Sequence, residues 1–118
     1  MSAHTISIDT LRAAIEGRDA TALLGFYRPD AVLRIIDPDH PPSRPTELVG
    51  RTAIGGYLAD TCGRDMTHRV EDVLTDGDRL VFSQTCRYPT GECVACQATL
   101  HLKDGAIARQ TMLVVWDA

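Results

Sequence analysis

The 118-residue sequence predicts a single α+β domain over residues 1–118. Apolar residues recur at helical spacing in the first half of the chain, and they alternate with a period of two from His68 onward. Short turns that contain Gly and Asp separate the alternating segments, which is typical of sequential antiparallel hairpins. Helices followed by a run of strands is the element order of an α+β fold.

Two short helices are expected at the start of the chain. On the first, four apolar residues share one helical face: Ile8, Leu11, Ala14 and Ile15. Ser7 or Asp9 can cap its first turn, because their side-chain oxygens accept hydrogen bonds from the free amides there. Asp19 can cap a second helix over residues 20–27, and Pro29 is expected to stop it.

A strand and a third helix are expected next. Residues 31–36, "AVLRII", contain enough β-branched side chains for a strand. The "DPDHPP" segment that follows cannot continue a sheet, because proline lacks the amide donor. Residues 51–63 predict a third helix, in which two glycines cost about 1 kcal/mol each relative to alanine. Its inner face carries Ile54, Tyr57, Leu58 and Thr61.

The second half predicts four antiparallel strands, over residues 68–74, 78–88, 92–102 and 106–116. One face of the third strand carries Val94, Cys96, Ala98, Leu100 and Leu102. Its other face carries smaller or polar residues: Cys93, Ala95, Gln97, Thr99 and His101. The last strand contains "TMLVVW", which is apolar on both faces. Because three helices can cover only one face, we expect a second copy of the chain on the outer face, as a homodimer.

Charge and composition argue against several classes of partner. The net charge is −4, the isoelectric point is near 5.4, and the Lys and Arg residues are scattered. We therefore expect no nucleic acid and no membrane as partners. The N-terminal "MSAHTISIDT" lacks the basic start and apolar core of a signal peptide, so we expect a cytoplasmic protein with reduced cysteines.

The "CVAC" segment raises the question of a metal or redox site. On a strand, residues three apart point to opposite faces, so Cys93 and Cys96 would not converge on one ion. No second pair with suitable spacing follows. We therefore expect neither a metal nor a cofactor, and we interpret Cys86 and Cys96 as small apolar residues.

Several short phrases, in their order and spacing, resemble one known family. They are "GRD" between the first two helices, "DAV" at the first strand, "GRTAI" at the third helix, and "DGDR" and "KDGAIA" at hairpin turns. From about residue 8 to 116 the chain is similar to the SnoaL-like branch of the nuclear transport factor 2 superfamily. The resemblance implies a cystatin-like cone, in which a curved, mostly antiparallel sheet wraps around the helices and leaves an apolar cavity, and it also implies frequent dimers. It implies no single activity, since members include steroid isomerases, polyketide cyclases, epoxide hydrolases, dehydratases and proteins that only bind or assemble.

Asp37 is the most informative candidate for chemistry. It follows the apolar Ile35 and Ile36, at the position where similar isomerases carry the carboxylate that moves a proton beside a ketone. Apolar surroundings destabilise a charged carboxylate and so make it a better proton acceptor. His68 is in register with Val70, so it can face the same cavity and form a catalytic dyad with Asp37. The alternative for both residues is a structural role, with Asp37 accepting local amide hydrogen bonds at the end of its strand.

Five further residues are candidates for binding a ligand in the cavity: Tyr27, Tyr57, Gln84, Cys96 and Trp116. Their alternative role is as ordinary core residues.

The groups needed for two familiar mechanisms are missing from the sequence. The positions that hold the oxyanion donors of similar steroid isomerases fall near Leu11 and Ala98, which cannot donate hydrogen bonds. The final strand offers Gln110, Met112 and Val114, but no aspartate of the kind that similar polyketide cyclases use. Two hypotheses therefore stand. One is a cofactor-independent isomerase- or cyclase-type enzyme acting on a small apolar carbonyl compound, and the other is a non-catalytic ligand-binding or dimerisation module.

Overall fold

The computed structural model describes residues 6–117 and arranges them as three helices and six strands. The helices are α1 (Ile8–Glu16), α2 (Ala20–Gly25) and α3 (Gly50–Gly63). The strands are β1 (Tyr27–Ile36), β2 (Thr46–Val49), β3 (Thr67–Asp76), β4 (Arg79–Arg87), β5 (Cys93–Lys103) and β6 (Ala106–Trp116). The predicted α+β class is confirmed. The prediction that the N-terminus is no signal peptide depends partly on residues 1–5, which lie outside the described residues.

All six strands form one sheet in the order β2-β1-β6-β5-β4-β3. Only β1 and β6 pair in parallel, and every other pair of neighbours is antiparallel. The prediction of a mostly antiparallel sheet is therefore confirmed. A parallel pair needs a long crossover connection. Here the chain passes through β2, α3, β3, β4 and β5 before β6 returns beside β1.

The boundary between α2 and β1 was predicted wrongly. The helix ends at Gly25 rather than residue 27, so Tyr27 and Pro29 belong to the strand. Pro29 is tolerated because the pairing of β1 with β6 is irregular between Tyr27 and Val32, where no ladder amide is required.

The sequence also did not predict β2. After the prolines have turned the chain, these four residues pair antiparallel with β1 and form one edge of the sheet. Four residues are too few for a recognisable alternation, so the pattern contains no signal for this strand.

The predicted helix caps are present. The Ser7 side chain accepts a hydrogen bond from the Thr10 amide at 3.4 Å, and Asp19 caps α2 in the same way at 3.0 Å. Gly55 has a packing role in α3, because a Cβ at this position would lie 3.2 Å from a methyl carbon of Leu24. Glycine lowers the helix propensity of α3, but its lack of a side chain allows α2 to pack closely against α3.

The helices approach the sheet at strands near its two edges and not at its middle strands. Within the described residues, α1 approaches the backbone of β3, and α2 and α3 approach β1, whereas no helix approaches the backbone of β4, β5 or β6. A Glu16 carboxylate oxygen on α1 accepts from the Val70 amide on β3 at 2.9 Å. On α3, the Arg51 guanidinium donates to the Tyr27 carbonyl oxygen at 2.7 and 3.0 Å. None of the helices between residues 6 and 117 has the length and apolar character of a membrane span.

The interior between helices and sheet is apolar, and the sheet faces alternate as predicted for β5. Its inner residues Cys96, Ala98, Leu100 and Leu102 are buried, and Ala95 and Gln97 on the outer face are exposed. The largest fully buried side chains of the core are Leu33, Ile54, Leu80, Leu100 and Ile107. The outer face is an accessible surface in the single chain, and it carries the exposed apolar side chains Val81, Leu113 and Val115.

Replacement of Leu33 by alanine is expected to lower the free energy of unfolding by about 2–5 kcal/mol, because the fully buried side chain would leave a cavity. Val49→Ala is the matched control, since Val49 is 63% exposed and should change stability by less than about 0.5 kcal/mol. Denaturant unfolding followed by circular dichroism measures both variants. A loss at Leu33 no larger than at Val49 would contradict its position in the core.

Candidate functional site

A cavity of about 550 Å³ lies between the inner face of the sheet and α3. It is lined by the end of β1, the loop that follows it, β2, the last turns of α3, the start of β3, the end of β4, the start of β5 and the end of β6. It adjoins a smaller, deeper pocket of about 70 Å³. Five residues line both spaces: Tyr57, Thr61, His68, Gln84 and Met112.

Every residue predicted for the site lies on these walls. Asp37, His68, Tyr57, Gln84, Cys96 and Trp116 line the larger cavity, and Tyr27 lines the smaller pocket. Position on a cavity wall is a requirement for the predicted roles and does not by itself test them. The roles of these residues therefore remain predictions.

Asp37 is held by the turn that follows β1. Its backbone forms an isolated bridge with His40, with both N–H···O bonds at 3.0 Å. Its carboxylate oxygen Oδ1 accepts from the Asp39 amide and faces Nδ1 of His40, each at 2.9 Å. Its side chain is only 12% exposed, and among the described residues no group hydrogen-bonds to Oδ2. One oxygen of the carboxylate is thus fixed by the turn, and the other is free to meet a ligand.

His68 has different partners from those predicted. Its Nδ1 lies 3.0 Å from Sγ of Cys86 and 3.1 Å from Nε2 of Gln84, and Gln84 also donates to that sulfur at 3.2 Å. In the part of the chain that the structure describes, no hydrogen bond joins His68 to Asp37. In this structure the two residues belong to separate pairs, Asp37–His40 and His68–Cys86.

Sequence reasoning missed both of these partners. The spacing of three residues between Asp37 and His40 is a signal in the sequence, because a turn brings residues three apart close together. No comparable signal exists for Cys86, because it becomes the direct partner of His68 only through the register of β3 and β4.

The two buried cysteines at the cavity have opposite proton affinities. A hydrogen bond from Cys96, helped by His68 and Gln84, lowers the pKa of Cys86 from its ordinary value of 9.0 to about 5, although burial opposes this. The same hydrogen bond, together with burial, raises the pKa of the Cys96 thiol. Ionisation of the pair is therefore favoured at Cys86 over Cys96. The interpretation of Cys86 as a small apolar residue is thus incomplete.

Two tyrosines and a glutamine supply further polar groups. Burial raises the pKa of both Tyr27 and Tyr57, so both phenols stay protonated as donors. The Tyr27 hydroxyl donates to Oε1 of Gln110, which is the buried polar residue of the core. Leu11 and Ala98 are buried and apolar, as expected for positions without donors. Gln110 was noted in the sequence only for not being an aspartate, although its amide Nε2 is a hydrogen-bond donor at the inner pocket.

Comparisons with known proteins support the architecture around this cavity. A model of the SnoaL-like domain matches residues 8–110. No curated protein sequence matches the chain significantly. One similar solved structure is an NTF2-like protein of unknown function from Mesorhizobium loti. It has a TM-score of 0.78 and 15% identity, over 97% of this chain and 98% of that one.

Two other solved structures carry more specific descriptions. A Sinorhizobium meliloti protein, provisionally named a polyketide cyclase, has a TM-score of 0.66 and 21% identity, over 89% of this chain and 91% of that one. A Catenulispora acidiphila protein with a ketosteroid isomerase-like fold, in complex with trimethylamine, has a TM-score of 0.66 and 18% identity, over 89% and 82%. At these identities the likeness shows the fold alone. Since the family model spans most of the sequence and the curved sheet with its three helices agrees with it, the chain belongs to the SnoaL-like domain family.

Proposed function

We propose that this protein binds a small, largely apolar carbonyl compound and moves a proton beside its carbonyl group, with Asp37 as the base. The observation that carries this proposal is the position of Asp37, whose nearly buried carboxylate lines a cavity of about 550 Å³. This volume is within the range of small-molecule sites. The provisional name of the Sinorhizobium meliloti relative is in keeping with carbonyl chemistry.

The walls of the cavity suit an apolar ligand with a few polar atoms. Its apolar side chains include Ile35, Met66, Met112, Val114 and Trp116. The Tyr57 hydroxyl lies on the cavity wall beside the Thr61 side chain, and it can donate to a carbonyl oxygen. A donor of this kind stabilises the charge that develops on the oxygen when a neighbouring proton is removed.

The hydrogen bonds of Asp37 suit a general base. The Asp39 amide and His40 hold Oδ1, so the position of Oδ2 is fixed before a ligand binds. A pre-positioned carboxylate needs little reorganisation when it takes the proton. His40 is half exposed, so it holds Oδ1 from the solvent side of the turn.

A non-catalytic ligand-binding module of the same fold is the second candidate. The same hydrogen bonds favour it, because they also close the turn over residues 37–40 and give Asp37 a structural role. In that case the cavity would bind its ligand and Asp37 would take no part in chemistry.

The protein is expected to accelerate the exchange of deuterium into the carbon positions beside the carbonyl of benzylacetone, a small apolar ketone, in heavy water. Asp37→Asn should reduce the protein-dependent rate at least about 100-fold, because an amide cannot take up the proton. Asp39→Asn is the matched control on the same turn, since the Asp39 side chain makes no hydrogen bond among the described residues. Nuclear magnetic resonance follows the exchange, and quenching of Trp116 fluorescence follows binding.

These measurements separate the two candidates. If Asp37→Asn keeps the affinity, loses about 1–2 kcal/mol of stability and leaves exchange unchanged, the carboxylate is a structural cap and the catalytic proposal is wrong. If the wild-type protein does not bind benzylacetone, the proposed ligand class is wrong.

We also propose that the protein forms a homodimer through the outer face of the sheet. Val81 on β4 and Leu113 and Val115 on β6 are between 38% and 62% exposed on this face. Ala95 and Thr99 of β5 lie between them, so the surface is continuous across three neighbouring strands. Apart from Gln97 its side chains are small or apolar, and such a surface can match a second copy of itself around a two-fold axis.

Sedimentation velocity at micromolar concentration is expected to give a dimer for the wild-type protein. Leu113→Asp should yield a monomer, because it would place two carboxylates in the apolar interface. Ala59→Asp introduces the same charge at an exposed position of α3, away from the outer face of the sheet, and should stay dimeric. A monomeric wild-type protein, or dissociation by both variants alike, would contradict the proposed interface.

We further propose a cytoplasmic location without nucleic acid partners. The four cysteines Cys62, Cys86, Cys93 and Cys96 are free thiols, which suits a reducing compartment. The net charge of −4 disfavours binding to polyphosphates.

A further inference from the structure

A second reactive group lies in the cavity, away from Asp37. Sγ of Cys86 is within hydrogen-bond distance of Nδ1 of His68 and Nε2 of Gln84, and Cys96 lies beside it on β5. Cys86 is only 3% exposed, yet it lines the larger cavity together with these three residues. The sulfur thus lies at the cavity wall and has little contact with water.

The cluster has the parts of an activated nucleophile. With Nδ1 unprotonated, His68 accepts the proton of the Cys86 thiol across 3.0 Å and leaves a thiolate. The Gln84 amide donates to the same sulfur at 3.2 Å, and Cys96 on the neighbouring strand also lowers the pKa of the Cys86 thiol. A thiolate is the reactive form of cysteine, and hydrogen bonds to it favour that form.

The register of the strands argues against a disulfide between the two cysteines. Cys86 pairs with Val94, and Cys96 pairs with Gln84, so the two cysteines are diagonal neighbours. Diagonal neighbours in an antiparallel pair are about 7–8 Å apart, beyond the usual Cα separation of a disulfide. Cys96 thus fits the role of a hydrogen-bond donor to Cys86 better than that of a resolving thiol.

We propose that Cys86 is a nucleophile that adds reversibly to the β-carbon of an α,β-unsaturated ketone or aldehyde bound in the cavity. The inference depends on the cavity taking a small apolar carbonyl compound, as proposed above, but not on Asp37. Addition requires a thiolate, a proton donor and an apolar pocket, and it needs no oxidant or second substrate.

The proposed step balances within the site. An electron pair of the Cys86 sulfur forms the new C–S bond, and the π electrons of the double bond move through the α-carbon to the carbonyl oxygen. The Tyr57 hydroxyl, which lines the same cavity, can donate to that oxygen. The proton that His68 took from the thiol then goes to the α-carbon. The adduct contains all atoms of the ligand, and reversal of the same steps releases it.

The experiment compares benzylideneacetone with benzylacetone, its saturated counterpart without the reactive double bond. With benzylideneacetone the wild-type protein should gain the full mass of one ligand in native mass spectrometry, and the enone absorbance should fall because addition breaks its conjugation. Peptide mapping should place the adduct on Cys86. Cys93→Ser should react like the wild type, because Cys93 lines the same cavity without a histidine partner. Cys86→Ser should form no adduct, and His68→Gln should slow the reaction about 100-fold.

Binding of benzylacetone is measured in a separate experiment, through the fluorescence of Trp116, the single tryptophan of the chain. If benzylacetone quenches this fluorescence and benzylideneacetone gives no adduct, the nucleophile is wrong and the proposed ligand class stands. If neither compound binds, both proposals fail. An adduct on Cys93 or Cys62, an unchanged rate in His68→Gln, or loss of two hydrogens through a Cys86–Cys96 disulfide would also overturn the assignment.

Discussion

The helices of this domain are too short to cover the sheet on which they lie, and the cavity follows from this mismatch. The nine residues of α1 span about 14 Å, whereas the eleven residues of β5 span about 36 Å. Hydrogen bonds attach two helices to strands near the edges of the sheet. Glu16 of α1 bonds to β3, and Arg51 of α3 bonds to β1. Within the described residues, no helix therefore lies close to the backbone of the middle strands. Side chains such as Leu100 fill one end of the space, and the other end stays hollow.

The polar groups that face this cavity need hydrogen-bond partners. Buried polar atoms are costly unless they are hydrogen-bonded, and most groups here have found a partner on a neighbouring element. Tyr27 on β1 bonds to Gln110 on β6, and His68 on β3 bonds to groups on β4. These pairs stabilise the walls and also fix the orientation of each reactive atom. Those polar atoms that keep free capacity, such as Oδ2 of Asp37, are the ones available to a ligand.

The two histidines of the cavity have partners of different chemical character. His40 lies on the loop at a half-exposed position and contacts a carboxylate. His68 lies in the sheet and contacts a sulfur atom shielded from water. One cavity thus contains a carboxylate–histidine pair near solvent and a thiol–histidine pair in the interior. They come from opposite parts of the strand order, in which β1 is second and β4 and β3 are last.

The sequence by itself determined the order of elements apart from β2, the helix caps at Ser7 and Asp19, and the inward face of β5. These features depend on local spacing and on the period of the apolar pattern, which a single segment contains in full. The edge strand β2 and the start of β1 at Tyr27 were missed, because both form through pairing with distant segments.

Only the tertiary structure decided which side chains meet. Counting back along β3 from its turn would place His68 opposite Arg87, but a bulge between Glu71 and Leu74, where Asp72 has a φ of 54°, shifts the register. His68 consequently faces Cys86, and the apolar Leu74 is turned outward to 72% exposure. A shift of one residue exchanges the two faces of a strand. The alternation of apolar residues cannot reveal such a shift, because the bulge depends on how β3 pairs with β4.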